Sequence, residues 1–257
     1  MNRIIILFAI GFLIVGCQGT KDAEFEWNFK KNKGLTYAFD QKVTTAAEFS
    51  NQEEPRSMSS NVTFDLEMNF DGGDKAKLKM KNAKLIVEGE PISDVVPELE
   101  MKDMDNRGKF ESQNLDALFD ILMALPKKDL KVGNSDKIEV KFPFAMPDST
   151  YTCYGVNTIT FVKTEERESV NCAILKGDIV FKKAVFDIGQ GSSYSFGGSG
   201  TADYAFDIEN GCFSTATIDM HMEANWDTAP QSDTTNQITF SHIKMNSKYA
   251  IALQSIR

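Results

Sequence analysis

The 257-residue sequence predicts a mainly β fold, an antiparallel curved sheet or incomplete barrel with one amphipathic helix packed on its apolar face. Three observations carry that expectation. Apolar residues recur at every second position through most of the chain, the period of a strand with one buried face. Clusters of Gly, Asn, Asp and Pro interrupt those runs where hairpins need them. One stretch alone, residues 113–125, changes to a period of about 3.6. Aromatic residues make up 11% of the chain, with 19 Phe, enough for a core and evidence against wholesale disorder.

At the N-terminus Arg3 supplies positive charge, Ile4 to Ile14 form an apolar run, and small Gly16 stands directly before Cys17. Ile14-Val15-Gly16-Cys17 has the form of a lipobox closing a secretory leader. The apolar run is shorter than the ~20 residues needed to cross a bilayer, so residues 1–16 read as a signal peptide rather than a membrane span. Cys17 is then the lipidation site and first mature residue, residues 17–24 are a polar tether, and residues 25–257 form a single β-rich domain. Each buried methylene adds ~0.8 kcal/mol, so several acyl chains on Cys17 would hold the protein at a membrane while the domain itself need not touch lipid. Gln18, where Asp would signal inner-membrane retention, makes the outer membrane the expected location, surface-exposed or facing the periplasm.

Within the domain, Phe25, Trp27 and Phe29 alternate with polar residues, and Leu35, Tyr37 and Phe39 resume the pattern after Gly34, which reads as a hairpin. Residues 50–60 read as a loop. Val62 to Phe70 and Ala76 to Met80 keep strict even parity around Asp71-Gly72-Gly73-Asp74, which places Met68 opposite Leu78 and Leu66 opposite Met80. Parity slips at Asn82-Ala83, where a bulge would restore it. Residues 88–106, acidic and containing Pro91 and Pro97, read as an irregular connection with room for one edge strand.

In the helical stretch Leu115, Leu118, Phe119 and Leu122 share a stripe, Ser112 can cap the first amides, Asp116 favours the positive end and Pro126 stops it. Strands follow at Ile138–Phe142, Tyr151–Lys163 and Ser169–Phe186, the last pair turning about Glu166, with a bulge at Lys176-Gly177. Gly189 to Gly200 reads as a loop or a flat strand edge. Ala202 to Ile208 pairs with Cys212 to Trp226, and a three-residue Glu209-Asn210-Gly211 loop with Gly211 at positive φ brings both apolar faces into agreement. Ile238 to Leu253 closes the chain.

The formal charge is −9 and becomes −10 without Arg3, so clustered Lys and Arg for nucleic acid are lacking and no nucleic-acid partner is expected. With Cys17 acylated, Cys153, Cys172 and Cys212 remain, an odd number at apolar strand positions that reads as buried thiols without an obligatory disulfide. His221 and His242 are the whole imidazole inventory. His221 shares a strand face with Asp219 and Glu223, a spacing that could grip a metal but that a solvated strand explains as well. Asp71–Asp74 lacks the spaced carboxylates of a calcium loop. Neither Gly189-Gln190-Gly191 nor Gly197-Gly198-Ser199-Gly200 joins a strand to a helix with the residues of a phosphate or nucleophile loop. No catalytic, cofactor or metal residue is assigned. These readings imply an envelope module with a non-catalytic binding or structural role, its expected partners being the membrane through Cys17 and a small apolar ligand held in the cleft of the sheet. The alternative is a hydrolase acting on glycan through paired carboxylates.

The lipobox, the Phe29 to Tyr37 block with Lys33-Gly34, the Leu125-Pro126 and Leu130-Lys131-Val132-Gly133 segments and the Phe206-Asp207-Ile208 to Gly211 hairpin together resemble a family of Bacteroidota lipoproteins of unknown function. That family has Asp and an aromatic after Val-Gly, where this chain has Asn134 and Ser135. The resemblance implies lipid anchoring and a β-rich domain and brings no catalytic residues. Lys21-Asp22-Ala23-Glu24 is similar to the lysine-and-acid tether that directs such lipoproteins to the cell surface, with Ala23 in place of one acid.

Overall fold

The alternation becomes a single antiparallel sheet. The computed structural model describes residues 23, 25–49, 54–70, 72–92, 100–110, 117–145, 150–189, 192–227 and 240–257; the leader, Cys17 and most of the tether lie outside the described residues. Its strands are β1 (Gly34–Phe49), β2 (Arg56–Phe70), β3 (Lys75–Val87), β4 (Glu90–Ile92), β5 (Glu100–Asp105), β6 (Ser135–Ala145), β7 (Thr150–Arg167), β8 (Val170–Gly189), β9 (Ser192–Asp207), β10 (Cys212–Asp227) and β11 (Phe240–Ile256). Their order is β4-β3-β2-β1-β11-β10-β9-β8-β7-β6, with β5 also on β3. Along this path neighbours are successive in sequence except at β1–β11, where the first and last strands meet in the middle. The sheet is open and curved, ending at β6 on one side and at β3 with its short partners on the other.

Several expected registers hold because the pleat ties parity to face. Leu66 stands opposite Met80 and Met68 opposite Leu78. The register shifts across Asn82-Ala83, with Asn82 at φ 54°, and Leu85 thereby returns to the inner face opposite Val62.

Other expectations are corrected. Phe25 to Phe29 is not a strand. Phe25, Trp27 and Phe29 are buried, but the Trp27 amide donates to Asn106 O at 2.9 Å and the Asn28 amide to Gly211 O at 2.9 Å, so the segment crosses the end of the sheet. Ala23, near the end of the expected tether, forms an isolated β-bridge with Leu130. The β7–β8 hairpin turns at Glu168-Ser169, both at positive φ, rather than at Glu166, and this puts Cys172 opposite Glu165. Its bulge falls between Phe161 and Lys163 and not at Lys176-Gly177, which pair regularly with β9. The β9–β10 turn spans 208–211: Gly211 has φ 61°, but Asp207 pairs with Cys212, and a shift between Phe213 and Thr215 restores even pairing at Ala216–Tyr204.

Residues 192–200 are neither loop nor edge. They form the first half of β9, paired on both sides, because their glycines admit side chains from β10. A Cβ at Gly198 would lie 2.4 Å from Met222 Sδ, space that only a glycine leaves open.

The amphipathic helix expected over 113–125 is not supported. Among the described residues only Ala117–Leu122 (α1) is helical, and the proposed Ser112 cap lies outside them. Ile121, Leu122, Met123, Ala124 and Leu125 are buried in succession, and the last three of them lie beyond the helix. This run of buried residues, bonded to Tyr204 of the sheet and Trp27 of the crossing segment, forms a plug in one end of the curved sheet.

Candidate functional site

Alternation assigns the inner face. On β10 it is formed by even residues from Ala216 to Trp226, in register with Tyr204 to Tyr194 on β9 and with Ile251 to Ile243 on β11. Between their rims the inner faces of β1, β2 and β7 to β11 carry no charged side chain among the described residues. Charges stand on the outer face, at strand ends and in turns.

The plug fills one end of this face. Tyr204 Oη donates to Ile121 O at 3.0 Å and accepts from Asn157 Nδ2 at 3.1 Å. Trp27 Nε1 donates to Met123 O at 3.1 Å. Arg107 donates to Phe25 O at 2.6 Å and Pro126 O at 3.1 Å, and pairs with Glu26 at 2.8 Å. Edge-to-face contacts of Phe25 with Phe161 and Phe206, and of Trp27 with Phe213, close the interior around these bonds. Carbonyls that a short helix leaves unpaired at its C-terminal end thus find partners in side chains from the sheet and the crossing segment.

Past the plug the inner face continues as an aromatic and aliphatic wall. Phe142 of β6 stacks on Phe196 of β9 at 6.0 Å, and Ile243 and Met245 of β11, in register with Ala224 and Met222 of β10, are half-buried. At the far end an aromatic row runs across four strands: Tyr151 meets Phe186 at 4.8 Å, Phe186 is in register with Tyr194, and Tyr194 meets Trp226 at 4.6 Å. Tyr194 is only 6% exposed. Its hydroxyl and the Trp226 indole N–H are both buried without a hydrogen-bond partner. Burial pushes the Tyr194 phenol up to about 12, with Tyr151 adding to the effect, so the hydroxyl keeps its proton.

The residues weighed in the sequence fall elsewhere. His221 is on the outer face, with Nδ1 2.6 Å from Asn246 Oδ1 and Nε2 3.0 Å from Glu223; the Asn246 and Glu223 hydrogen bonds raise its pKa. No group of three His, Cys, Asp or Glu suited to a metal occurs among the described residues. Gly72 to Asp74 form a hairpin turn, and Asp74 lies 3.8 Å from Lys30. Cys153, Cys172 and Cys212 are free and buried. Asp207 is the one buried carboxylate among the described residues, and it accepts from the amides of Glu209 and Asn210, each at 2.9 Å, to shape the β9–β10 turn. Cys17 lies outside the described residues. Sequence reasoning did not single out Tyr194 and Trp226; the available signal was a phenol and an indole at core parity near strand ends.

Fold and face together define the class: an open, curved antiparallel sheet, plugged at one end, whose inner face on β1, β2 and β7 to β11 carries no charged side chain between the rims among the described residues. No family model matches the chain, and no curated protein matches its sequence. A solved structure described by lipid–protein interactions in lipovitellin is similar over 90% of this chain, with 10% identity and a TM-score of 0.50, which shows a shared fold. The chain spans 26% of that protein. A domain from Vibrio parahaemolyticus, described by outer membrane lipoprotein sorting, aligns over 88% of this chain and 87% of its own at 9% identity; its TM-score of 0.18 is too low to carry an argument.

Proposed function

We propose that this chain is a lipid-anchored cell-envelope protein that binds a small apolar or lipidic ligand on the inner face of its sheet, without catalysis. The carrying observation is the uncharged wall past the plug, where Phe142, Phe186, Ile243 and Met245 remain partly accessible. Apolar concave surfaces with a few placed polar groups are the usual form of small-ligand sites. The lipovitellin structure that shares this sheet is described by its lipid–protein interactions, which supports the same reading. The anchor in this proposal is lipid on Cys17 at the outer membrane, as in the Bacteroidota lipoproteins that the sequence resembles. The glycan-hydrolase alternative finds no support in geometry: no second buried carboxylate stands with Asp207 among the described residues.

Native mass spectrometry of the full chain from its own envelope tests the proposal. Apolar adducts should survive buffer exchange and leave on organic extraction. A chain that carries none, and that fails to take up a fluorescent acyl reporter, would overturn it.

A further inference from the structure

The geometry points to one ligand class for this face: a neutral acyl molecule whose polar group is a carbonyl acceptor, an ester or an amide, received by the Tyr194 hydroxyl and the Trp226 indole N–H. The inference deepens the apolar-ligand reading and rests on it. Two independent facts carry it.

The first is the pair of orphaned donors. Buried Tyr and Trp ordinarily find partners for their polar atoms. Here both atoms are buried and unpartnered on adjacent strands, with the rings 4.6 Å apart and their residues directly in register. An indole N–H can only donate, so what satisfies it must accept. The phenol, held protonated by burial, can donate to the same group.

The second is charge. A carboxylate or phosphate drawn into this wall would lose its hydration and need a cation in return. Tyr151, Phe186, Tyr194 and Trp226 surround the position with rings, and the inner faces of β7 to β11 offer no cation between their rims among the described residues. Arg56, at inner-face parity at the start of β2, is three strand spacings from β10, about 14 Å along the sheet. Lys182 and Lys183, in the β8 bulge, are exposed, and Lys183 lines an outer hollow with His221 and Glu223. A pure hydrocarbon would fit the wall and leave both donors unmet. A neutral carbonyl satisfies both conditions.

The test compares three probes of one chain length, methyl laurate, laurate at pH 8 and dodecane, by displacement of a fluorescent acyl reporter from the full chain. Methyl laurate should bind tightest. Tyr194→Phe, which keeps the ring, should weaken methyl laurate by about three- to tenfold, the worth of one neutral hydrogen bond, and leave dodecane unchanged. Trp226→Phe should lower the ester-to-alkane affinity ratio by a similar factor, and near-UV circular dichroism checks that both variants keep the fold. Laurate binding more tightly than its ester, or Tyr194→Phe weakening dodecane as much as methyl laurate, would overturn the inference while leaving the apolar-ligand reading in place. Failure of all three probes to bind would overturn both.

Discussion

The hydroxyl of Tyr204 reaches 83 residues back along the chain to donate to the Ile121 carbonyl at 3.0 Å. With Asn157 Nδ2 donating to the same hydroxyl at 3.1 Å, it ties β7, β9 and the plug into one buried chain of hydrogen bonds. Plug and sheet should therefore unfold together. Tyr204→Phe keeps the ring and removes the hydroxyl, leaving the Ile121 carbonyl without this donor. We expect a loss of about 1–3 kcal/mol, measured as a lower urea midpoint. A midpoint equal to wild type would show that the plug is held by packing alone.

Gly108 faces that plug from the other side. Its φ is +80°, and a Cβ there would lie 1.8 Å from the Met123 carbonyl oxygen. Gly72 has nearly the same φ, +81°, with nothing within 4 Å. Gly72→Ala should cost only the left-handed backbone penalty, about 1–2 kcal/mol, whereas Gly108→Ala adds a clash with backbone and should cost distinctly more. Urea denaturation of both variants makes the comparison, and equal losses would contradict the packing described for the plug.

Alkaline pH should destabilise the fold. Burial raises the pKa of Tyr37, Tyr204 and Tyr249 and pushes Tyr194 and Cys212 up to about 12. In each case the neutral, protonated form is favoured in the folded state. The stabilisation is fully present below the unfolded values, about 8.5 for Cys and 10 for Tyr, and is lost as pH rises from there towards the folded ones. The urea midpoint should fall between pH 9 and 11, and thiol labelling at pH 8 should stay slow until the chain unfolds. Fast labelling of Cys212 in native conditions would contradict its burial.

Cys17→Ala should abolish acylation and leader cleavage under the proposed anchoring. Metabolic labelling with palmitate and fractionation read this directly. Protease treatment of intact cells then distinguishes the leaflets, since digestion without lysis marks surface exposure. A Cys17→Ala chain that still matured and stayed with the outer membrane after a high-salt wash would refute lipid on this residue as the anchor.

Strand parity was legible because it is local: a pleated chain must send alternate side chains to opposite faces, so the residues themselves reveal which face is core. The Leu66–Met80 and Met68–Leu78 pairs, the Asn82-Ala83 bulge and positive φ at Gly211 follow from that and from turn chemistry. The outer-face place of His221 follows from parity too.

What tertiary structure alone decided involves partners far apart in sequence. Alternation cannot say that β1 pairs with β11, or that glycine-rich 192–200 lies between two strands, because a strand pattern does not name its neighbours. Phe25 to Phe29 alternates like a strand, yet its amides go to Asn106 and Gly211. Residues 113–125 show a helical period, but the sheet and the crossing segment bury 121–125 in succession and leave only a short helix among the described residues. By itself the sequence determined a β-rich chain with an apolar face. Only the closing of distant strands around a plug decided where that face stays uncharged, and that Tyr194 and Trp226 meet there with donors unpaired, because hydrogen-bond satisfaction is a property of the assembled interior and not of any one segment.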